Sequence, residues 1–113
     1  MRLHAREGEE SAVEEAVREV ARPSREEAGC LSFHVFRSMR DRRLFYIHSR
    51  WVDEAAFQKH GELAHTVEFL KRVDALLDQA RDVARTEMID LVGGTPGGGS
   101  RLQISEFETR CSD

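Results

Sequence analysis

The feature that most constrains the fold is a pair of apolar segments joined by a charged turn. In residues 30–39, Leu31, Phe33 and Val35 alternate along the chain, and residues 44–52 are rich in aromatic and branched side chains, which favour β-strands. Alternation at period two is typical of β-strands, and the polar residues 40–43 between the segments favour a turn. The sequence therefore predicts a β-hairpin in the middle of the chain.

A helix is predicted before the hairpin. Apolar residues recur there at the spacing of one helical face. They are Val13, Ala16, Val17, Val20 and Ala21. Ser11 and Glu14 match a capping box, which predicts Ser11 as the N-cap. Pro23 is expected to end the helix because proline lacks the backbone N–H. Before this helix, Leu3 and Ala5 predict a short first strand, which we expect to be the remnant of a longer one.

A second helical region and a last strand are predicted after the hairpin. Asp53 is a plausible N-cap, and we expect Gly61 to divide the helical region in two. The later half carries one apolar face at helical spacing. Its residues are Val67, Leu70, Val73, Leu76 and Leu77. Alternation over residues 82–91 predicts the final strand. The order βαββαβ predicts an α+β, ferredoxin-like split βαβ fold with an antiparallel sheet.

The predicted hairpin carries large apolar side chains on both of its faces. Phe45, Ile47 and Trp51 share one face, and Tyr46 and Val52 share the other. Helices cover only one face of such a sheet, and a face exposed to water is normally polar. A small domain also has a thin core of its own. We therefore expect the second face to pack against another copy of the chain, which predicts a homodimer.

Composition changes sharply near residue 93. Residues 93–100 hold five of the eight glycines of the chain, which is typical of a flexible linker. Residues 101–113 alternate only weakly, and both an edge strand and a disordered tail fit them. The predicted domain therefore covers residues 1–92, and residues 93–113 form a Gly-rich linker and tail.

Charge and composition exclude several classes of function. Lys plus Arg number 17 against 21 Asp plus Glu, for a net charge of −4, so a basic face for nucleic acid is not expected. No apolar run approaches the roughly 20 residues of a membrane helix. No secretion signal is visible at the N-terminus. Cys30 and Cys111 lie far apart and form neither a disulfide framework nor a CxxC site. We therefore expect a cytoplasmic protein with free thiols.

Three segments resemble blocks of one known family. Residues 29–38 resemble the "EpGC-x-x-Y-x-v-x-r" strand of the antibiotic biosynthesis monooxygenase family, which includes quinol monooxygenase-like members. Residues 44–57 resemble its "f-x-x-x-e-x-W-x-d-x-x-a-l" block, and residues 60–65 its "H-x-x-x-x-H" segment. The resemblance covers residues 3–89 and implies a dimeric α+β barrel.

The resemblance implies several activities rather than one. Known members oxidise phenols or hydroquinones with O2 and no cofactor, degrade haem, or isomerise a phosphorylated sugar-like signal molecule. Haem-degrading relatives have a tryptophan where this chain has His60, and an axial histidine where it has Leu70. Haem cleavage is therefore disfavoured. No nucleotide or flavin motif is present, so no cofactor is expected.

His60 is the leading catalytic candidate. A cofactor-free monooxygenase must deprotonate its phenol, and a neutral imidazole suits that task. The alternative is a structural histidine before a helix break. His65 is the second candidate, but on a continuous helix it would lie about 140° around the axis from His60, so the pair would converge only if Gly61 breaks the helix. Two interpretations of His65 stay open: it caps the second helical stretch, or it reaches the pocket beside His60. A metal site would prefer i, i+4 spacing and further ligands, so no metal is expected.

Aromatic residues near the histidines are candidates for substrate binding. Trp51 ends a strand at the mouth of the predicted pocket, where it would contact an aromatic ligand or serve only as core. Phe33 and Phe57 have the same two interpretations. His48 and His34 lie on adjacent strands, and a pocket, a dimer interface and solvent all remain open for them. We assign His48 to substrate binding.

The sequence thus predicts a cytoplasmic, homodimeric, cofactor-independent monooxygenase. Its partners would be a small aromatic substrate, such as a quinol or phenol, and O2. His60 would be the base, and His65 would assist or orient. Two alternatives remain open: a non-catalytic ligand-binding or stress-response barrel, and an isomerase of a small carbonyl compound.

Overall fold

The computed structural model describes residues 1–89 and the backbone of residues 104–105. In these residues the chain forms three helices and an antiparallel sheet, which confirms the predicted α+β class. The elements are β1 (Arg2–His4), α1 (Glu10–Arg25), β2 (Cys30–Arg37), β3 (Leu44–Trp51), α2 (Glu54–Glu62), α3 (Ala64–Asp74), β4 (Thr86–Glu87) and β5 (Ile104–Ser105).

Strand β3 is the centre of the sheet. It pairs with β2 along one edge, and with β1 and then β5 along the other. Because β1 and β2 are both antiparallel to β3, they run parallel to each other, and α1 connects them across the sheet. This is the predicted split βαβ unit. Isolated bridges from Arg2 to Asp82 and from Ala5 to Leu77 bring residues 77–82 beside β1.

The core lies between this sheet and the helices. The apolar face predicted for α1 is buried. Side chains from the strands and from α3 pack against it. The largest fully buried apolar side chains are Trp51, Leu3, Ile47, Val13, Val17 and Val73. The helices therefore cover the sheet face that carries Phe33, Ile47 and Trp51, which is the face next to the candidate site.

The ends of α1 differ from the prediction. Glu9, not Ser11, is the N-cap residue, and its side chain makes no capping bond within the described residues. A turn at Gly8, which has a φ of +90°, starts the helix early. Pro23 lies inside the helix, which continues to Arg25. A proline so close to the C-terminus removes one hydrogen bond from the last turns, and this is tolerated.

The region after the hairpin also differs in detail. Asp53 is the N-cap of α2, as predicted, and its Oδ1 accepts from the Ala56 N–H at 2.8 Å. The helical break falls at Leu63 rather than at Gly61, which lies inside α2. On α3, Phe69 is buried, whereas Val67 of the predicted face is 37% exposed. Because of the break at Leu63, α3 turns a different set of side chains toward the core than a helix continued from α2 would.

The predicted strand at residues 82–91 is reduced to β4, Thr86–Glu87, within the described residues. Its place beside β1 is taken by residues 77–82. In the predicted tail, β5 pairs with both β3 and β4. The predicted domain boundary at residue 92 and the linker at residues 93–100 lie outside the described residues.

The sheet face away from the helices is partly covered within one chain. Tyr46, which we expected on a bare face, is only 9% exposed, and Leu44 is also buried. Leu31 and Phe36 remain half exposed. Among the helices that the structure describes, none combines the length and the hydropathy needed to cross a membrane.

Candidate active site

Three elements bring Glu27, His60 and His65 together. Glu27 lies in the loop between α1 and β2, His60 in the last turn of α2, and His65 in the first turn of α3. Glu27 and His60 are 33 positions apart in sequence, and their side chains are in hydrogen-bonding contact. The cluster therefore depends on the fold rather than on one local motif.

The break at Leu63 makes the two histidines converge. Leu63 has φ −75° and ψ 150°, an extended conformation, and it separates the end of α2 from the start of α3. On one continuous helix the two side chains would point about 140° apart. With the break, their ring centroids lie 6.1 Å apart. The two rings therefore converge through a helix break, which falls at Leu63 rather than at Gly61.

A single carboxylate oxygen joins the two rings. Oε2 of Glu27 lies 2.8 Å from Nδ1 of His60 and 2.7 Å from Nε2 of His65. An ionised carboxylate only accepts hydrogen bonds, so both of these nitrogens carry hydrogen. The other nitrogen of each neutral ring then holds the lone pair that accepts a proton. Oγ1 of Thr66 lies 3.3 Å from Nδ1 of His60 and completes the cluster.

Burial and charge act in opposite directions on His60. The side chain is 8% exposed, and this burial lowers the pKa of His60 below 6.5. The hydrogen bond to Glu27 and the negative charge of Glu27 raise the pKa of His60, whereas the charge of His65 lowers it further. Because the pKa of His60 is lowered overall, the neutral imidazole is favoured, and this is the form that acts as a base.

Aromatic rings enclose His60. Its ring centroid lies 4.6 Å from that of Trp51, with the planes 35° apart, and 5.9 Å from that of Phe33 in an edge-to-face arrangement. Phe57 completes the wall at 6.3 Å. The structure thus brings three of the predicted aromatic residues around the predicted base. Trp51 is fully buried, and its indole N–H donates to Oγ of Ser49 at 2.9 Å.

His48 is not part of this cluster. Side chains alternate across a strand, so His48 and Trp51 lie on opposite faces of β3. Its cross-strand partner is His34 of β2. Burial lowers the pKa of His48, with smaller contributions from the charges of Arg50, His34 and the N-terminus. The structure therefore separates His48 from the other predicted substrate-binding residues.

A groove between α1 and α3 reaches the cluster through His65. It has a volume of about 330 Å³ and a lining of mixed apolar and charged side chains. Its lining is Ala16, Glu19, Val20, His65, Glu68, Phe69 and Arg72. The side chain of His65 is 26% exposed, against 8% for His60. His65 is therefore the member of the cluster that a molecule in the groove would meet first.

Glu27 was missed by reasoning from the sequence. A lone glutamate in a charged segment gives no local signal. Glu27 nevertheless stands two residues before Gly29, where the "EpGC" block of the family has its glutamate. The glycine of that block explains how the loop reaches α2. A Cβ atom at Gly29 would lie 2.3 Å from Cβ of Ala56, so only glycine lets the loop approach the helix this closely. This approach holds Glu27 beside His60.

The relationship to known proteins follows from the amino-terminal two thirds of the chain. Residues 1–72 match the family model described as antibiotic biosynthesis monooxygenase. The chain belongs to this family. The matched residues include Glu27, His60 and His65, together with the aromatic wall around His60.

Individual relatives agree with this assignment. YcnE of Bacillus subtilis (strain 168), a proposed monooxygenase, is 35% identical over 65 residues, which are 58% of this chain and 68% of YcnE. The crystal structure of PA3566 from Pseudomonas aeruginosa is 35% identical with a TM-score of 0.65, covering 69% of this chain and 79% of PA3566. Rv0793 from Mycobacterium tuberculosis, at 23% identity, shares the fold with a TM-score of 0.76, covering 81% of this chain and 93% of Rv0793.

Proposed function

We propose that this protein is a cofactor-independent monooxygenase that oxidises a small phenol or quinol with O2. The observation that carries the proposal is the Glu27 oxygen shared by two imidazoles. A carboxylate that accepts from one ring nitrogen leaves the other nitrogen as a base. Membership of the antibiotic biosynthesis monooxygenase family supports monooxygenase chemistry.

The two histidines have different roles in this proposal. His60 takes the hydroxyl proton, because its burial favours the neutral ring. His65 contacts the substrate from the α1–α3 groove and orients the hydroxyl group toward the cluster. Glu27 is a positioning residue that acts through both rings. The aromatic wall shields the ring of His60 from water.

The proposed reaction balances without a further reductant. The phenolate gives one electron to O2, and the phenoxyl radical and superoxide combine to form a carbon–oxygen bond at an unsubstituted ring carbon, para in a phenol and ortho in a hydroquinone. The carbon then loses its hydrogen, and the oxygen–oxygen bond breaks with loss of water. One oxygen atom of O2 enters the quinone and the other leaves as water, so phenol and O2 give quinone and water.

An oxygen electrode tests the proposal. Chelator-treated protein would be supplied with a panel of phenols and hydroquinones, and O2 uptake would be followed together with quinone absorbance. We expect uptake above the uncatalysed rate for at least one substrate, with quinone formed in equal amount. The matched control is His34→Ala, which removes an exposed histidine on the other face of the sheet.

Two other results would contradict the proposal in different ways. Tight binding of an aromatic ligand with no O2 uptake would favour a non-catalytic binding protein. Conversion of a small carbonyl compound without O2 would favour an isomerase, since a histidine base also serves proton transfer.

We further propose that the protein is a homodimer in the cytoplasm. Leu31 and Phe36 of β2 each expose 48% of their surface, which leaves apolar area for a second copy of the chain. Membership of the antibiotic biosynthesis monooxygenase family also supports the proposal of a dimeric barrel. Sedimentation at micromolar concentration tests the assembly. A dimer is expected, and a monomer at that concentration would contradict this part of the proposal.

A further inference from the structure

The nitrogen and oxygen atoms of the cluster converge in the way that a metal ion requires. Glu27, His60 and His65 each offer one ligand atom, and these three atoms all lie within 4.8 Å of one another. We infer that Glu27, His60 and His65 form a binding site for a divalent transition-metal ion such as Zn²⁺. Occupancy of this site would block the base, so the regulatory part of the inference rests on the proposed function.

The donor set fits ions of this class. Two imidazoles and one carboxylate are a common ligand set for zinc, with a fourth position left for water. Ligands held about 2.1 Å from a tetrahedral ion lie about 3.4 Å from one another. The two nitrogen–oxygen distances here are 2.8 and 2.7 Å. A small outward movement of Glu27 therefore makes room for an ion between the three atoms.

The site is held in place before any ion arrives. The ring of His60 packs against Trp51 and Phe57, which fixes its direction. The contact of Gly29 with α2 fixes the loop that carries Glu27. His65 is 26% exposed and provides the route from solvent. An ion therefore gains three oriented ligands without the cost of ordering them.

The inference departs from the expectation drawn from the sequence. The spacing of His60 and His65 argued against a metal because a continuous helix would separate the two rings. The break at Leu63 removes that objection. Glu27 supplies a third ligand, and it comes from a distant part of the sequence.

Metal binding and the proposed catalysis use the same two rings but opposite nitrogens of each ring. An ion bound to Nδ1 of His60 and Nε2 of His65 replaces the two hydrogen bonds to Glu27, and the hydrogen of each neutral ring then sits on the other nitrogen, which can no longer accept a proton. The carboxylate then neutralises the ion instead of positioning the bases. We therefore expect Zn²⁺ to inhibit O2 uptake, and excess chelator to restore it.

Calorimetric titration of chelator-treated full-length protein with Zn²⁺ tests the site without reference to activity. We expect one ion per chain. His65→Ala and Glu27→Gln should each weaken binding by about 100-fold or more, beyond the roughly 10–100-fold that loss of an outer-shell partner costs. Circular dichroism would verify that each variant is folded.

The control variant is His34→Ala. His34 faces His48 across the hairpin, and this pair is the other place where two histidines meet in the described residues. Binding that survives His34→Ala and is lost in His65→Ala supports the site. Loss of binding in His34→Ala, or unchanged binding in both site variants, would overturn it.

The two proposals fail in distinguishable ways. Absence of Zn²⁺ binding in a protein that consumes O2 would overturn the metal site and leave the monooxygenase proposal intact. Binding of Zn²⁺ by a protein that shows no O2 uptake would support the site and contradict the monooxygenase proposal. Binding with no loss of O2 uptake would overturn the regulatory part.

Discussion

Nδ1 of His60 lies 2.8 Å from Oε2 of Glu27, which joins the end of α2 to the loop before β2. The side chains are 8% and 11% exposed, so water competes little for this contact. The same oxygen binds His65. One carboxylate therefore sets the hydrogen position and the direction of both rings.

Replacing Glu27 by Gln should lower kcat with little change in KM. The amide keeps the size of the side chain but loses the charge that orients both imidazoles. We expect a fall in kcat of about 10- to 100-fold, smaller than the roughly 10²- to 10⁴-fold that a general base itself contributes. Steady-state O2 uptake measures both constants. Glu27→Asp should restore part of kcat, and equal activity in wild type and Glu27→Gln would remove Glu27 from the mechanism.

Replacing His60 by Ala should cost about two to four orders of magnitude in kcat, because the general base is lost. Replacing His65 by Ala should mainly raise KM, since His65 contacts the substrate from the groove. Comparing the two variants over a range of substrate concentrations separates these effects. An unchanged kcat in His60→Ala would show that another group takes the proton.

Gly29→Ala should destabilise the protein by about 1–3 kcal/mol, the usual cost of overpacking. The new methyl group would lie 2.3 Å from Cβ of Ala56. Urea unfolding of the single variants and of the double variant Gly29→Ala with Ala56→Gly measures the coupling. We expect the double variant to lose less stability than the sum of the two single changes. Simple additivity would mean that the two residues do not clash.

Another histidine, His4, lies outside the candidate site, and its contacts predict a pH dependence of stability. Nδ1 of His4 is 2.8 Å from Asp78, and Nε2 is 2.9 Å from Asp41. Burial alone would lower the pKa of His4, but the two carboxylates outweigh it and raise the pKa above 6.5. The pKa values of both carboxyl groups are lowered below 3.8 by their hydrogen bonds to neighbours.

The sign of the effect follows from these directions. A raised pKa in the folded state stabilises the protein below pH 6.5, and this stabilisation is lost as pH rises through the folded pKa. The same stabilisation is also lost at low pH, because the carboxylates of Asp41 and Asp78 become protonated below pH 3.8. Urea unfolding of wild type and His4→Gln should therefore differ most between these limits. A difference that grows above pH 6.5 would contradict this account.

The fold was largely predictable because its periodic segments are long. The hairpin and the buried face of α1 follow from alternation and from helical spacing alone. The ends of α1 did not, because a turn at Gly8 replaced the expected cap at Ser11. The last strand also failed, since pairing with β1 selected residues 77–82 instead of the alternating segment after them.

The candidate site was predictable only in part. His60 and its aromatic wall followed from the family resemblance and from the order of the elements. Glu27 did not, because its partners lie 33 and 38 positions away and only the tertiary fold brings them together. His48 was misplaced because the sequence does not tell which face of β3 the helices cover.

The most direct test of the central proposal is incorporation of oxygen from isotopically labelled O2. Chelator-treated protein would convert a phenol under labelled O2, and mass spectrometry would measure label in the quinone. Wild type is expected to place one labelled atom in each quinone, and His60→Ala should form little labelled product at the same protein concentration. Quinone formed without label, or labelled equally by both proteins, would contradict monooxygenase catalysis by the His60 cluster.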